Sequence, residues 1–232
     1  MNFWDRLPKP IIALAPMADV TDPAFRRIIA KYGKPDVLWT EFVSADGLFL
    51  GGYDALIKDL DFTPAERPIV AQFFTSNADM MRKAASLAKD LGFDGIDINM
   101  GCPDKRIERR GAGATLMKYP ERAQPIIRAA KQGAGNVPLS VKTRLGWNRG
   151  GMKDAAYRPT SPWHRELLAN TKEVWVLNAV EICDRLHACV PVTSELAERI
   201  ARLNDVILWL RRLVPQQPQY LLIGHTVPPH AH

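Results

Sequence analysis

The sequence of 232 residues has few cysteines and no long apolar stretch, and each scarcity excludes a class of protein. Its three cysteines, Cys102, Cys183 and Cys189, form an odd set without CxxC spacing, which argues against a disulfide framework and a structural zinc site. No run of about 18 apolar residues occurs, and residues 1–10 lack the apolar centre of a secretory signal. We therefore expect a cytoplasmic protein with reduced thiols, no membrane segment and no metal site.

The composition is that of an ordinary soluble protein with an excess of basic residues. Hydrophobic residues make up 47% of the chain and charged residues 24%, which suffices for one sizeable core or for a domain with an appendage. The net charge of +6 favours a polyanionic partner such as a nucleic acid, because cationic surfaces release counterions from phosphates. Nothing in the sequence indicates an oligomeric state.

Patterns typical of strands and helices alternate from residue 10 to residue 145, which predicts a parallel sheet. The predicted strands are 11–14, 37–41, 69–74, 95–99 and 139–143. The predicted helices are 23–32, 78–91 and 121–132, with starts at Asn77 and Pro120 and stops at Gly92 and Gly133. The strand spacing predicts an α/β fold of the TIM-type (β/α) barrel class, which is incomplete here because only about five of its eight units can be traced.

The pattern changes after Trp147, and this change sets the predicted domain boundaries. Residues 148–162 are rich in residues that break regular structure and predict a linker. Residues 163–232 predict a mainly helical extension with a disordered tail, including an apolar stripe that recurs at helical spacing from Leu196 to Val214. Residues 1–147 then constitute the partial barrel.

Residues able to do chemistry stand at the ends of the predicted strands, where the loops of a parallel barrel converge on one face. Cys102 lies between Gly101 and Pro103 in a tight turn after the fourth strand, a position suited to a catalytic thiol. A thiol with an ordinary pKa of about 8.5 keeps its proton near pH 7 and can act as a general acid. Lys142 ends the apolar fifth strand, and it implies an anionic partner because an unpaired cation is costly to bury.

These segments together resemble the tRNA-dihydrouridine synthase (Dus) family over residues 11–147. The segment from Pro16 to Arg26 resembles the family signature PMAGVTDxxFR, with Asp19 in place of the usual glycine. Residues 99–114, which include the Gly-Cys-Pro turn, and the Lys-Thr-Arg segment at 142–144 resemble two further family motifs. The resemblance implies a flavoprotein oxidoreductase that uses FMN, with NADPH as reductant, to reduce uridine in tRNA to 5,6-dihydrouridine.

The resemblance also implies a role for each matching residue. Cys102 is then the catalytic general acid that donates a proton to the uracil ring. The implied cofactor contacts, which lie against the flavin ring or at its polar edges, are Pro16, Met17, Ala18, Gln72 and Lys142. The implied substrate contacts are Asn99, Lys105 and Arg144.

The later family segments, which hold the FMN phosphate, are not recognisable beyond Trp147. We interpret this as a truncation or a coding frameshift after Trp147, which a reading of the coding DNA in all frames would test. Two other functions stay open. One is a catalytically inactive remnant that at most binds RNA, and the other is a flavin-dependent oxidoreductase that acts on a small molecule.

Overall fold

The computed structural model describes residues 2–7 and 11–143, which form a five-stranded parallel sheet with its connecting helices. The strands are β1 (Ala13–Leu14), β2 (Val37–Ser44), β3 (Ile69–Phe74), β4 (Gly95–Met100) and β5 (Leu139–Thr143). Each strand pairs in parallel with the next along the chain, so the order in the sheet is β1-β2-β3-β4-β5. This succession confirms the prediction of an incomplete TIM-type barrel. The predicted linker at 148–162, the predicted extension at 163–232 and Arg144 lie outside the described residues.

Seven α-helices occur in the described part of the chain, and three of them are the predicted ones. They are α1 (Pro23–Tyr32), α2 (Ala45–Phe49), α3 (Tyr53–Leu56), α4 (Ala78–Asp90), α5 (Lys105–Arg109), α6 (Thr115–Lys118) and α7 (Pro120–Ala134), and 3-10 turns span Phe3–Arg6, Ile57–Leu60 and Pro64–Glu66. Helix α4 begins as predicted, because the side chain of Asn77 accepts the N–H groups of Asp79 and Met80. The four shortest helices escape prediction because an apolar period of 3.6 residues needs a longer segment to be visible.

The two faces of the sheet bury different cores. The face towards the helices packs large apolar side chains such as Phe73, Ile96 and Ile98 against α4 and α7. The opposite face, which is the barrel interior, carries a smaller apolar cluster of Trp4, Val37, Trp39 and Val70. Because side chains alternate along a strand, the polar residues of β3, β4 and β5 that share this inner face are brought close together.

Strand β2 continues to Ser44, so the predicted end at residue 41 is wrong. The register against β3 shifts between Trp39 and Phe42, where β2 contains one residue more than its partner. Such a bulge changes the phase of the alternation between apolar and polar side chains. Beyond it Phe42 packs against Phe74 of β3, with ring centroids 5.8 Å apart. The change of phase is why the alternation in the sequence breaks off too early.

Helix α7 continues past the predicted stop at Gly133 and is capped by Gly135, whose φ is +60°. Gly133 instead allows α7 to lie very close to α4. A Cβ atom built at Gly133 would lie 2.1 Å from the carbonyl oxygen of Arg82 and 3.0 Å from the Cβ of Ala85. The absent side chain therefore serves the contact between two helices and does not end one.

None of the described helices combines the length and the apolar character needed to cross a membrane.

We expect Gly133→Ala to destabilise the protein. Alanine in the middle of a helix normally stabilises by about 0.5–1 kcal/mol relative to glycine. Here the added methyl group must push α7 away from the α4 backbone, and overpacking of this kind reduces the free energy of unfolding by about 1–3 kcal/mol. Urea unfolding measures the change, with Gln132→Ala at the neighbouring exposed position as the control. A Gly133→Ala variant more stable than the wild type would contradict the close contact.

Candidate active site at the carboxyl ends of the strands

The predicted site residues lie at the carboxyl end of the parallel sheet, and three of them are joined by hydrogen bonds. Gln72 lies in β3, and Asn99 lies in β4 directly opposite Lys142 of β5. Asn99 donates from Nδ2 to Oε1 of Gln72 at 3.0 Å and also binds the backbone of the turn that carries Cys102. The structure thus brings an implied cofactor contact, an implied substrate contact and the implied acid into one set.

The turn that carries Cys102 is held from two sides. The side-chain oxygen of Asn99 accepts the N–H groups of Gly101 and Cys102 at 3.1 and 2.9 Å. The carbonyl of Cys102 accepts the N–H of Ala114 at 3.0 Å. This second contact needs glycine at position 113, because a Cβ there would lie 2.8 Å from the Cys102 carbonyl oxygen and the residue has φ +61°. The thiol is therefore presented on a fixed backbone.

The surroundings of Cys102 raise the pKa of its thiol above the ordinary value. Partial burial is the main cause, because it disfavours the charged thiolate. A hydrogen bond from the backbone N–H of Asp104 and the positive charge of Lys142 oppose the rise, while the carboxylates of Asp104 and Glu108 add to it. The thiol consequently keeps its proton at neutral pH and can donate it.

Gln72 is fully buried, and both ends of its side-chain amide are hydrogen-bonded. Its Nε2 donates to Oδ2 of Asp97 at 2.5 Å, and its Oε1 accepts from Asn99. A primary amide has two N–H donors on its nitrogen and two lone pairs on its oxygen. These two bonds use one of each, so one N–H and one lone pair have no assigned partner. The predicted flavin contact of Gln72 is compatible with this arrangement but stays a prediction.

Asp97 is a buried carboxylate beneath the site. It accepts from Oγ of Ser140 at 2.5 Å, from Gln72, and from the backbone N–H of Lys142. Burial raises the pKa of Asp97 from its ordinary 3.8 to about 6, and these hydrogen bonds together with the Lys142 charge limit the rise. Asp97 is therefore ionised at pH 7.5 and has only acceptor sites to offer.

The loop after β1, which contains the predicted cofactor contacts Pro16, Met17 and Ala18, is closed by Thr21. The hydroxyl of Thr21 accepts the N–H of Met17 at 3.0 Å and donates to the carbonyl of the same residue at 3.1 Å. Pro16 is buried and the Met17 side chain packs against the core, whereas Ala18 is exposed. The backbone groups of Met17 are therefore already hydrogen-bonded, and the predicted cofactor contacts of this loop stay predictions.

A buried ion pair supports this loop from below. Arg26 of α1 donates from Nε to Glu66 at 2.9 Å and from Nη1 to the carbonyl of Thr21 at 2.7 Å, and both charged side chains are inaccessible to solvent. Glu66 also accepts the N–H and the hydroxyl of Thr63 at 2.8 and 3.0 Å. Each side-chain nitrogen of Arg26 and each carboxylate oxygen of Glu66 thus has a hydrogen-bond partner, which is the condition under which buried charges are tolerated.

Asp19 adopts the left-handed backbone conformation, with φ +57°. This region favours glycine, which is the usual residue at this place in the family signature, but aspartate enters it more readily than most other residues. The N–H of Asp19 donates to Oε2 of Glu41 at 2.9 Å. Burial raises the pKa of Glu41, the Asp19 hydrogen bond lowers it, and nearby carboxylates including Asp59 add to the rise. Asp19 thus adopts a backbone conformation that glycine would favour, and Glu41 binds its N–H.

Helix α5 places basic side chains next to the Cys102 turn. Lys105, Arg106, Arg109 and Arg110 are all exposed. Arg106 is bound to Asp104, with Nη2 3.0 Å from Oδ2, so part of its charge is neutralised locally. Within residues 2–7 and 11–143, no group of His, Cys, Asp and Glu side chains has the arrangement of a metal site.

Sequence reasoning overlooked the roles of Asp97 and Ser140, which support the site from inside the barrel. One signal was available for Asp97: it is an acidic residue between Ile96 and Ile98 in a strand of otherwise buried character. Alternation along β4 also puts Asp97 on the face of Asn99. Its partners could not be inferred, because the register between β3, β4 and β5 decides which side chains meet.

Comparisons with known proteins agree with the position of these motifs. The model of the dihydrouridine synthase (Dus) family matches residues 13–157. A probable tRNA-dihydrouridine synthase 2 of Bacillus subtilis is 44% identical over 147 residues, which are 63% of this chain and 45% of that protein. Probable tRNA-dihydrouridine synthases of Staphylococcus epidermidis and Staphylococcus aureus are 42% and 40% identical over the same length, in each case 63% of this chain and 44% of the relative. The chain thus spans less than half the length of these relatives.

We expect Thr21→Val to destabilise the β1 loop more than Thr21→Ser does. Valine has the shape of threonine but leaves the Met17 N–H without its acceptor, which costs about 1–3 kcal/mol for a buried group. Serine keeps both hydrogen bonds and loses one methyl group, worth about 1 kcal/mol. Urea unfolding of the three proteins gives the two differences. Equal stability of the valine and serine variants would show that the hydroxyl does not hold the loop.

We expect the stability contributed by Asp97 to increase as the pH falls through 6. At pH values between the ordinary aspartate pKa of 3.8 and the folded-state pKa of about 6, Asp97 is protonated in the folded chain and ionised in the unfolded chain. The free energy of unfolding therefore gains about 2 kcal/mol from this carboxyl between pH 7.5 and pH 4.5. Asp97→Asn removes this titration. The unfolding free energy of the wild type minus that of the variant should therefore increase by the same amount when the pH is lowered from 7.5 to 4.5. A difference independent of pH would mean that the carboxyl titrates normally.

Proposed function

Because this chain belongs to the dihydrouridine synthase (Dus) family, we propose that it carries the flavin-ring face and the proton donor of a tRNA-dihydrouridine synthase. The reaction is the reduction of uridine in tRNA to 5,6-dihydrouridine. The observation that carries the proposal is the Cys102 turn. A half-buried thiol with a raised pKa stands there, linked through Asn99 to Gln72 of the neighbouring strand.

The reduction needs a hydride at C6 and a proton at C5 of the uracil ring. FMN, when bound and reduced by NADPH, supplies the hydride. Cys102 supplies the proton: the S–H bond breaks, a C–H bond forms at C5, and the thiolate regains a proton from solvent. Over the cycle NADPH is oxidised to NADP⁺ and one C=C bond is reduced. A thiol held by burial in its protonated form suits this role.

The described residues fit a flavin ring at the same face. Ala18 offers an exposed backbone with a small side chain, which allows close approach of a flat ring. Gln72 has one N–H and one oxygen lone pair beyond its bonds to Asp97 and Asn99, and its contact with the pyrimidine edge requires its fully buried side chain to be uncovered. Lys142 holds a partly buried ammonium group within electrostatic reach of both Cys102 and Asp97, where it would balance negative charge on a reduced flavin. Pro16 and Met17 complete this set as supports of the loop.

The same geometry supports the proposed substrate contacts. Asn99 has one amide N–H left for the uracil edge after its bonds to Gln72 and to the turn. The exposed cations of α5, Lys105 among them, lie on the chain immediately after Cys102 and suit flanking phosphates. We assign Arg144 to the same role from its place in the Lys-Thr-Arg segment. The basic helix beside the thiol favours RNA over a small-molecule substrate.

Flavin retention by the purified protein tests the proposal. We expect added FMN to remain with the protein through gel filtration, detected by its visible absorbance, and the complex to form dihydrouridine in tRNA with NADPH. Cys102→Ala should keep the flavin and reduce the rate of dihydrouridine formation by at least about 100-fold, the usual size of a general-acid contribution. Cys183→Ala is the matched control, because it removes a thiol outside the motif and should leave the rate unchanged.

The outcomes separate the three functions. A folded protein that retains no flavin would overturn the proposal in favour of an inactive, at most RNA-binding chain. Retained flavin with reduction of free uracil derivatives but not of tRNA would favour a small-molecule oxidoreductase. Equal rates for the wild type and Cys102→Ala would remove Cys102 from the role of acid.

A further inference from the structure

We propose that Asp97 is a positioning residue. It orients the side-chain amides of Gln72 and Asn99, and it thereby fixes the Cys102 turn relative to the Gln72 amide that we assign to the flavin. The inference rests on the proposed function, since it assumes that this turn and this amide serve one site. It concerns a chain of four groups that we call the Asp97 relay: the Asp97 carboxylate, the Gln72 amide, the Asn99 amide and the Cys102 turn.

The direction of the relay is set at the Cys102 end. The N–H groups of Gly101 and Cys102 are backbone donors and cannot exchange roles, so Asn99 must turn its oxygen towards them. Its Nδ2 then points to Gln72, which must offer Oε1. Nε2 of Gln72 is left pointing away from the turn, and it needs an acceptor inside the barrel.

Asp97 meets this requirement at the other end. It receives Nε2 of Gln72, the hydroxyl of Ser140 and the backbone N–H of Lys142, three donors that converge on one side chain. An ionised carboxylate has acceptor sites for all three and no donor that would oppose them. An inward-facing carboxylate therefore completes a sequence of hydrogen bonds that begins at the Cys102 backbone.

Burial shows that these bonds cannot be exchanged for water. The exposed fractions are 0% for Gln72, 1% for Asp97, 6% for Asn99 and 1% for Ser140. A buried donor that loses its acceptor is unsatisfied, and the side chain moves to find another partner. Loss of Asp97 should thus release Gln72, and release of Gln72 should loosen Asn99 and the turn.

A role confined to folding predicts a different result for the same change. Replacement of a buried charged group by an apolar residue of similar size is often neutral or stabilising. Asp97→Leu is nearly isosteric, and it removes a carboxylate whose ionised form is disfavoured by burial. The relay therefore predicts a folded variant with a disturbed site, whereas a merely structural carboxylate would alter stability alone.

Two readouts test the relay in a background in which Cys183 and Cys189 are serine. The first is the rate at which iodoacetamide alkylates Cys102 in the flavin-free protein at pH 8. We expect Asp97→Leu to increase this rate by about threefold or more, because a looser turn exposes the thiol and lowers its raised pKa. The second is the Kd for FMN, which should rise by about tenfold, the equivalent of one hydrogen bond.

Conservative and matched variants make the test specific. Asp97→Asn keeps an oxygen for Gln72 and should change both readouts by clearly less than Asp97→Leu does, since one relay bond is retained. Asp94→Leu is the control: Asp94 also joins β4 to β3, accepting the Ile69 N–H at 2.9 Å, but at the opposite end of the strand. It should affect stability and leave alkylation unchanged.

The relay would be overturned if folded Asp97→Leu matched the wild type in both readouts, or if Asp94→Leu changed alkylation equally. If Asp97→Leu does not fold, Gln72→Met breaks the same relay at its centre and must raise the alkylation rate, and an unchanged rate would refute the proposal. Failure of the proposed function is distinguishable, because a wild type that binds no FMN still gives the alkylation comparison.

Discussion

A buried amide needs both a donor and an acceptor around it, and the site depends on how this half-barrel meets that requirement. Gln72 has Asp97 on one side and Asn99 on the other, so three strands are linked through side chains at one level of the barrel interior. Below this level the interior is filled by Trp4, Trp39 and their apolar neighbours. The polar side chains of β3, β4 and β5 are thus gathered at the carboxyl end of the sheet, where the predicted site residues lie.

The loop after β1 is also supported by buried polar groups whose hydrogen-bonding needs are met inside the protein, but here the groups are charged side chains. Arg26 is buried, and each of its three side-chain nitrogens donates to a partner: Glu66, the carbonyl of Thr21 and the carbonyl of Asp61. Thr21 in turn closes the loop on Met17. Asp97 and Arg26 thus support the residues that we propose to bind flavin and RNA, so substitutions of these two charged residues are expected to act through geometry and not through lost ligand contacts.

The sequence predicted those parts of the fold that depend on local pattern. Strands β3, β4 and β5 and helices α1, α4 and α7 carry clear periods or caps, and the motif at Cys102 identified the turn that the structure places beside Asn99. What could not be predicted depends on contacts between distant segments. The β2 bulge, the use of Gly133 for helix packing and the partners of Asp97 all follow from strand register and helix approach, which local sequence does not encode.

Burial leaves two groups of one hydrogen-bonded network in opposite protonation states at neutral pH. Burial raises the pKa of both Asp97 and Cys102, and Lys142 lowers both. Aspartate starts near 3.8 and reaches about 6, so it stays ionised at pH 7.5 and remains an acceptor. The ordinary pKa of a thiol lies above neutral pH, so a rise in the pKa of Cys102 keeps its proton in place. Because Asp97 and Cys102 are joined through Gln72 and Asn99, full burial of the carboxylate and partial burial of the thiol leave an ionised acceptor and a protonated thiol in one hydrogen-bonded network.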